Sequence, residues 1–162
     1  MRLIKLAIIS FVVFFVLLTA IGSLFPSNVL VSRAVDISAS PDSIRAYIDD
    51  YQKWNEWMEG AKESEYKVTA SDSIKAFYGN TIITLVKKEP NKWQHQWKAG
   101  NSVQLSSIQI IPAGSVSTVQ WQFEEHIKWY PWEKIGSMMN DKILGGNMEK
   151  SLANLKKIVQ GN

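Results

Sequence analysis

The thirty residues from Pro131 to Gln160 constrain this chain most. Trp132, Ile135, Met139, Ile143, Met148, Leu152, Leu155 and Val159 recur three to five residues apart, the spacing of an apolar stripe along one long helix. Glu133, Lys134, Asp141, Lys142, Glu149, Lys150, Lys156 and Lys157 fill the other side. A helix of this kind takes most of its stability from burying its stripe against another element. Much of the preceding sequence reads as strands that could supply that surface.

Val29–Ile37 is β-branched and partly alternating, and is expected to be a strand. Ser40 followed by Pro41 is a helix-start signal, and Ile44, Tyr47 and Ile48 continue at helical spacing. A second helical turn places Tyr51, Trp54, Trp57 and Met58 together. After Gly60 the apolar period falls to two. Strands are expected over Glu65–Thr69, Ile74–Tyr78, Thr81–Lys88, Trp93–Lys98, Val103–Ile111 and Ser115–Ile127, with turns at Ser71-Asp72, Gly79-Asn80, Glu89-Pro90-Asn91, Gly100-Asn101 and Pro112-Ala113-Gly114. Connections this short favour an antiparallel meander, so the fold class is α+β.

Leu6–Phe25 carries no charge, and its length suits a hydrocarbon core of roughly 30 Å. Arg2 and Lys5 precede it, so the positive-inside rule puts the N-terminus in the cytoplasm and the domain on the outer, periplasmic or extracellular, side. The expected organisation is a transmembrane anchor over residues 1–27 and one domain over residues 28–162. The alternative is a cleaved signal peptide and a secreted domain, with Ala20-Ile21-Gly22 as the cleavage site. Against it stand the length of the apolar run and the bulky Leu24 and Phe25 that follow.

Composition removes several function classes. Net charge is +3, and Arg2 and Lys5 supply two of those charges, which leaves the domain nearly neutral and without a footprint for nucleic acid. The chain has no cysteine, so disulfides, thiolate metal sites and a cysteine nucleophile are excluded. Its two histidines have no ligand spacing, no Ser-His-Asp or Gly-x-Ser-x-Gly pattern appears, and Gly145-Gly146 lacks the Lys-Ser/Thr of a phosphate loop. No metal, cofactor or catalytic residue is assigned. Each glycine inside a helix costs about 1 kcal/mol relative to alanine, so a kink or a close approach of the sheet is expected at Gly145-Gly146.

Three strings resemble one superfamily: VSRAVDISASPDSIRAYIDDYQKWNEWM from Val31, STVQWQFEE from Ser117 and LGGNMEKSLANLKKI from Leu144. Their order and content are similar to the START-like, or SRPBCC, superfamily, which includes polyketide cyclase/dehydrase and lipid-transfer proteins. The resemblance implies a helix-grip fold, a curved antiparallel sheet wrapped around the long C-terminal helix, here preceded by one transmembrane helix. It also implies a cavity between sheet and helix that commonly holds an apolar ligand.

Trp93, His95 and Trp97 share one strand face, as do Trp121 and Phe123 with Val119. A concave face would make them cavity walls with one polar handle; a convex face would leave them half-exposed cross-strand residues. Met139 and Ile143 are the helix residues expected to complete the lining. The expected function is binding of a hydrophobic small molecule or lipid by a membrane-anchored domain. A cyclase, aromatase or hydrolase using the same cavity is one alternative, with His95 and Glu124 as its polar groups. A ligand-free interaction module, contacting a partner through Trp129, Tyr130 and Trp132, is the other.

Overall fold

In a computed structural model the chain forms α1 (Arg2–Ser23), β1 (Asn28–Ile37), α2 (Pro41–Ile48), α3 (Trp54–Trp57), β2 (Val68–Ala70), β3 (Lys75–Tyr78), β4 (Thr81–Glu89), β5 (Lys92–Ala99), β6 (Ser102–Ala113), β7 (Val116–His126) and α4 (Pro131–Gln160). The structure describes residues 2–24, 27–61, 67–72, 74–127 and 130–161; residues 125, 131, 134, 135 and 137–140 are described by backbone alone. Phe25, Glu65, Tyr66 and Trp129 therefore lie outside the described residues, as does the side chain of Met139.

One sheet holds all seven strands in the order β1-β7-β6-β5-β4-β3-β2, and every neighbouring pair is antiparallel. The meander follows from turn chemistry. Gly79, Gly100 and Gly114 take positive φ angles of 55°, 57° and 66°, a backbone region that side chains with a Cβ rarely adopt. The alternation of residues then assigns the faces. Trp93, His95 and Trp97 of β5, Ile108 and Ile110 of β6, and Val119, Trp121 and Phe123 of β7 all turn inward and are buried. A register shift in β4 between Leu85 and Lys87 adds local bend and twist.

Register also separates the two ends of the sheet. One end carries the start of β1, the end of β7, and the turns at Gly79-Asn80 and Gly100-Asn101. The other carries Ile37 and the turns at Pro90-Asn91 and Gly114-Ser115. We call them the near and far ends, near meaning next to α1.

The inner face is closed by helices. Ser40 accepts a hydrogen bond from the Ser43 amide at 3.3 Å and caps α2, which buries Ile44 and Ile48. Indole N–H groups hold this layer in place. Trp54 Nε1 donates to the Ile48 carbonyl at 2.9 Å, Trp57 Nε1 to the Tyr47 carbonyl at 3.3 Å, and Trp93 Nε1 to Asp49 Oδ1 at 2.7 Å.

The long helix forms where the sequence indicates, and the second half of the expected stripe, from Met148 to Val159, faces the core, but Trp132 and Ile143 of the first half do not. Met148, Leu152 and Leu155 are buried, with Leu144, Ile158 and Val159 packed against the core, whereas Ile143 is 63% exposed and Trp132 is 60% exposed. The step from Ile143 to Met148 is five residues, which turns a helix about 140° past one revolution, so the two cannot share a face. Leu144 is the residue in phase.

The glycine pair resolves in detail. The helix runs unbroken through Gly145 and Gly146. A Cβ at Gly145 would collide with the Arg33 guanidinium, whereas Gly146 faces open space. Arg33 reaches over the helix from the inner face of β1, donating through Nε to Glu149 Oε1 at 2.6 Å and lying 3.7 Å from Asp141 Oδ1. What approaches the helix is one β1 side chain.

α1 is long and apolar enough to cross a membrane by length and composition.

Candidate functional site

The helix and the sheet do not meet evenly. α4 lies closest to β1, at the Arg33–Gly145 crossing, and near α3. Toward β3–β6 a gap remains at the near end of the sheet, and it forms a cavity of about 280 Å³.

Its apolar wall is built from Trp97, Trp121 and Phe123 on the sheet, Met58 after α3, and Leu144 and Met148 on α4. The rings form a continuous layer. Trp97 and Phe123 have centroids 5.2 Å apart, Trp121 and Phe123 5.5 Å, and Trp57 and Trp121 5.7 Å. Such offset and edge-on contacts hold aromatic walls rigid. Thr81, Ala99 and Ser102 line the cavity from the near-end turns, and Tyr78, Gln104, Asn147 and Ser151 add polar atoms.

Electrostatically the cavity is nearly neutral. Among the described residues its lining holds one carboxylate, Glu59, and no lysine, arginine or histidine. Glu59 lies 3.4 Å from Lys150 Nζ, and its amide donates to Ser151 Oγ at 2.8 Å. Ser151 in turn donates to the Asn147 carbonyl at 2.7 Å. This chain ties the segment after α3 to α4.

Two indoles differ in their hydrogen bonding. Trp97 Nε1 donates to Ser106 Oγ at 2.8 Å. Trp121 Nε1 is buried without a hydrogen-bond partner. A buried donor left unpaired costs about 1–3 kcal/mol.

The residues singled out in the sequence divide into two groups. Trp97, Trp121 and Phe123 line the cavity. Trp93 and His95 face the same way but lie deeper, packed into the core under α2 and α3, and neither is in the cavity lining. His95 sits against Trp54 and Tyr51, with ring centroids 5.2 Å and 6.0 Å away. Burial lowers its pKa to about 4, and its Nδ1 has no hydrogen-bond partner. Ile143 points away from the cavity because it is out of phase with Leu144. His95 and Glu124 do not meet: His95 is buried on the inner face, and Glu124 is exposed on the outer one. Tyr130 and Trp132 stack at 5.0 Å with a 9° interplanar angle, outside the cavity lining.

Met58, Tyr78, Gln104, Leu144 and Asn147 escaped the sequence reading. One signal for them exists. Gln104 holds an inward position in β6, opposite Trp97, and a long polar side chain there is costly to seal into an apolar core.

Comparisons with known proteins agree with this architecture. A family model described as "Polyketide cyclase / dehydrase and lipid transport" matches residues 28–160. The chain is similar in structure to a START superfamily protein from Mycobacterium smegmatis, with TM-score 0.62, 18% identity, and coverage of 82% of this chain and 97% of that one. It is also similar to CalU16 from Micromonospora echinospora, with TM-score 0.60, 12% identity and 83% of each chain covered. For the protein XoxI from Bacillus cereus the TM-score is 0.58 at 15% identity, covering 81% and 95%. At such identities the structural likeness speaks for the helix-grip fold alone. No curated protein matches the sequence. By the family match over most of its length, the chain belongs to the polyketide cyclase/dehydrase and lipid transport family.

Proposed function

We propose that this protein is a membrane-anchored domain that binds a hydrophobic small molecule or lipid in the cavity between β3–β7 and α4. The observation that carries the reading is the cavity lining: aromatic and methionine walls with almost no charge. An apolar ligand would be covered by Trp97, Trp121, Phe123 and Met148. Gln104 and Asn147 are its polar contacts. The apolar length of α1 supports anchoring, and Arg2 and Lys5 ahead of it favour a cytoplasmic N-terminus with the domain on the outer side.

The test is mass spectrometry of organic extracts from the detergent-solubilised full chain, beside a variant in which Leu144→Trp fills the cavity. An apolar compound should copurify with the native protein and fall by several-fold in the variant. Native protein that is empty, and whose tryptophan fluorescence is unmoved by a panel of sterols, fatty acids and aromatic polyketides, would defeat the reading.

A further inference from the structure

We propose that the near end of the sheet, where the cavity lies, docks on the surface of the bilayer that holds α1. The inference rests on reading α1 as an anchor, and two separate observations lead to it.

The first is tether length. Only residues 24–27 separate the end of α1 at Ser23 from the start of β1 at Asn28, a span of at most roughly 18 Å. Asn28 pairs with His126, and the Ser27 carbonyl accepts from the Ile127 amide at 2.7 Å, so the tether is fastened to the near end. Thr81, Ala99 and Ser102 stand at that same end and line the cavity. The far turn at Gly114-Ser115 is a strand length away, roughly 40 Å along β6.

The second is the distribution of exposed apolar side chains. Leu30, Phe77, Ile82, Val103 and Leu105 are all exposed on the outer face close to the near end. Phe77, Ile82, Lys98 and Val103 occupy one register row across four strands. Apolar side chains flanking a lysine suit a headgroup boundary, where the lysine stem lies in apolar surroundings and its ammonium reaches phosphate. The exposed ring of Trp132, stacked on Tyr130 soon after β7, adds an interfacial anchor of the kind that settles at headgroup depth. Toward the other end the exposed apolar residues among the described ones are Ile74, Val86 and Ile111.

Because the chain has no cysteine, single labels are clean. The full chain would be reconstituted into phosphatidylcholine vesicles with a nitrobenzoxadiazole dye on Ser102→Cys at the near end or Ser115→Cys at the far end. Quenching by headgroup spin-labelled lipid is the readout. Ser102→Cys should be quenched several-fold more than Ser115→Cys, and the difference should shrink when Ile82→Gln and Val103→Gln are combined. Equal quenching of the two labels in protein that floats with the vesicles overturns the docking and leaves the apolar row to a protein partner, with the ligand-binding reading intact. Protein that fails to float removes the anchor and overturns the docking with it.

Discussion

At the scale of single residues, the core holds polar atoms with no partner, and these set its response to pH. Burial lowers the His95 pKa to about 4, so the folded state keeps a neutral imidazole while the unfolded chain protonates near 6.5. The unfolded state therefore binds more protons between those values. His95 costs no stability above pH 6.5, and stability falls as pH drops toward 4, by about 3 kcal/mol in all. Urea titrations at pH 7.5 and 4.5 should show this loss, and His95→Phe should remove most of it; an unchanged difference in the variant would put the acid sensitivity elsewhere. Tyr51 is the companion case. Burial first, and the Asp72 charge second, raise its pKa to about 12, and its buried hydroxyl has no hydrogen-bond partner. Tyr51→Phe removes an unsatisfied group without opening a cavity, and should raise stability by up to about 1 kcal/mol. A clear loss would mean that the hydroxyl makes a bond in solution.

Among the elements, α4 best separates what a sequence discloses from what only packing decides. Gly145 and Gly146 are adjacent and equally costly to a helix, yet their surroundings differ. Gly146→Ala should stabilise by about 0.5–1 kcal/mol. Gly145→Ala should gain less or lose outright, because the new methyl displaces Arg33 from Glu149 and Asp141. Thermal melts of both variants, repeated in an Arg33→Ala background, would isolate that contact; identical shifts for the two glycines would refute it. Strand positions were legible because a period of two with short turns admits few alternatives. Six of the seven strands lie within about two residues of where alternation puts them, while β2 at Val68–Ala70 shares only Val68 and Thr69 with the expected Glu65–Thr69. The helix was legible in extent. Its phase was legible from Met148 onward but not before, since Ile143 and Met148 belong to different faces and the pattern between them fits either. Alternation placed Trp93, His95 and Trp97 on one face, and the structure turns that face inward. Which of them meets the cavity depends on how far α4 stands off each strand, and that distance is set by Arg33 and Ser151, two contacts remote in sequence.

For the whole molecule, the anchor reading makes a prediction of its own. The purified protein should keep residues 1–27, as read by intact mass, and a dye-maleimide that cannot cross membranes should label Ser115→Cys from outside the cell. A mature chain starting near Leu24 would replace the anchor with a cleaved signal, and labelling only after lysis would reverse the orientation.

The polar fringe of the cavity has a further thermodynamic meaning. Apolar burial is worth about 25 cal/mol per Å² when the competing phase is water. A ligand drawn from a bilayer leaves hydrocarbon already as apolar as Trp97 and Met148, so that contribution nearly cancels on transfer. What remains to discriminate one lipid-phase solute from another is shape and the few directed bonds. Gln104 and Asn147 would then carry selectivity, and the greasy walls would serve chiefly to avoid opposing it.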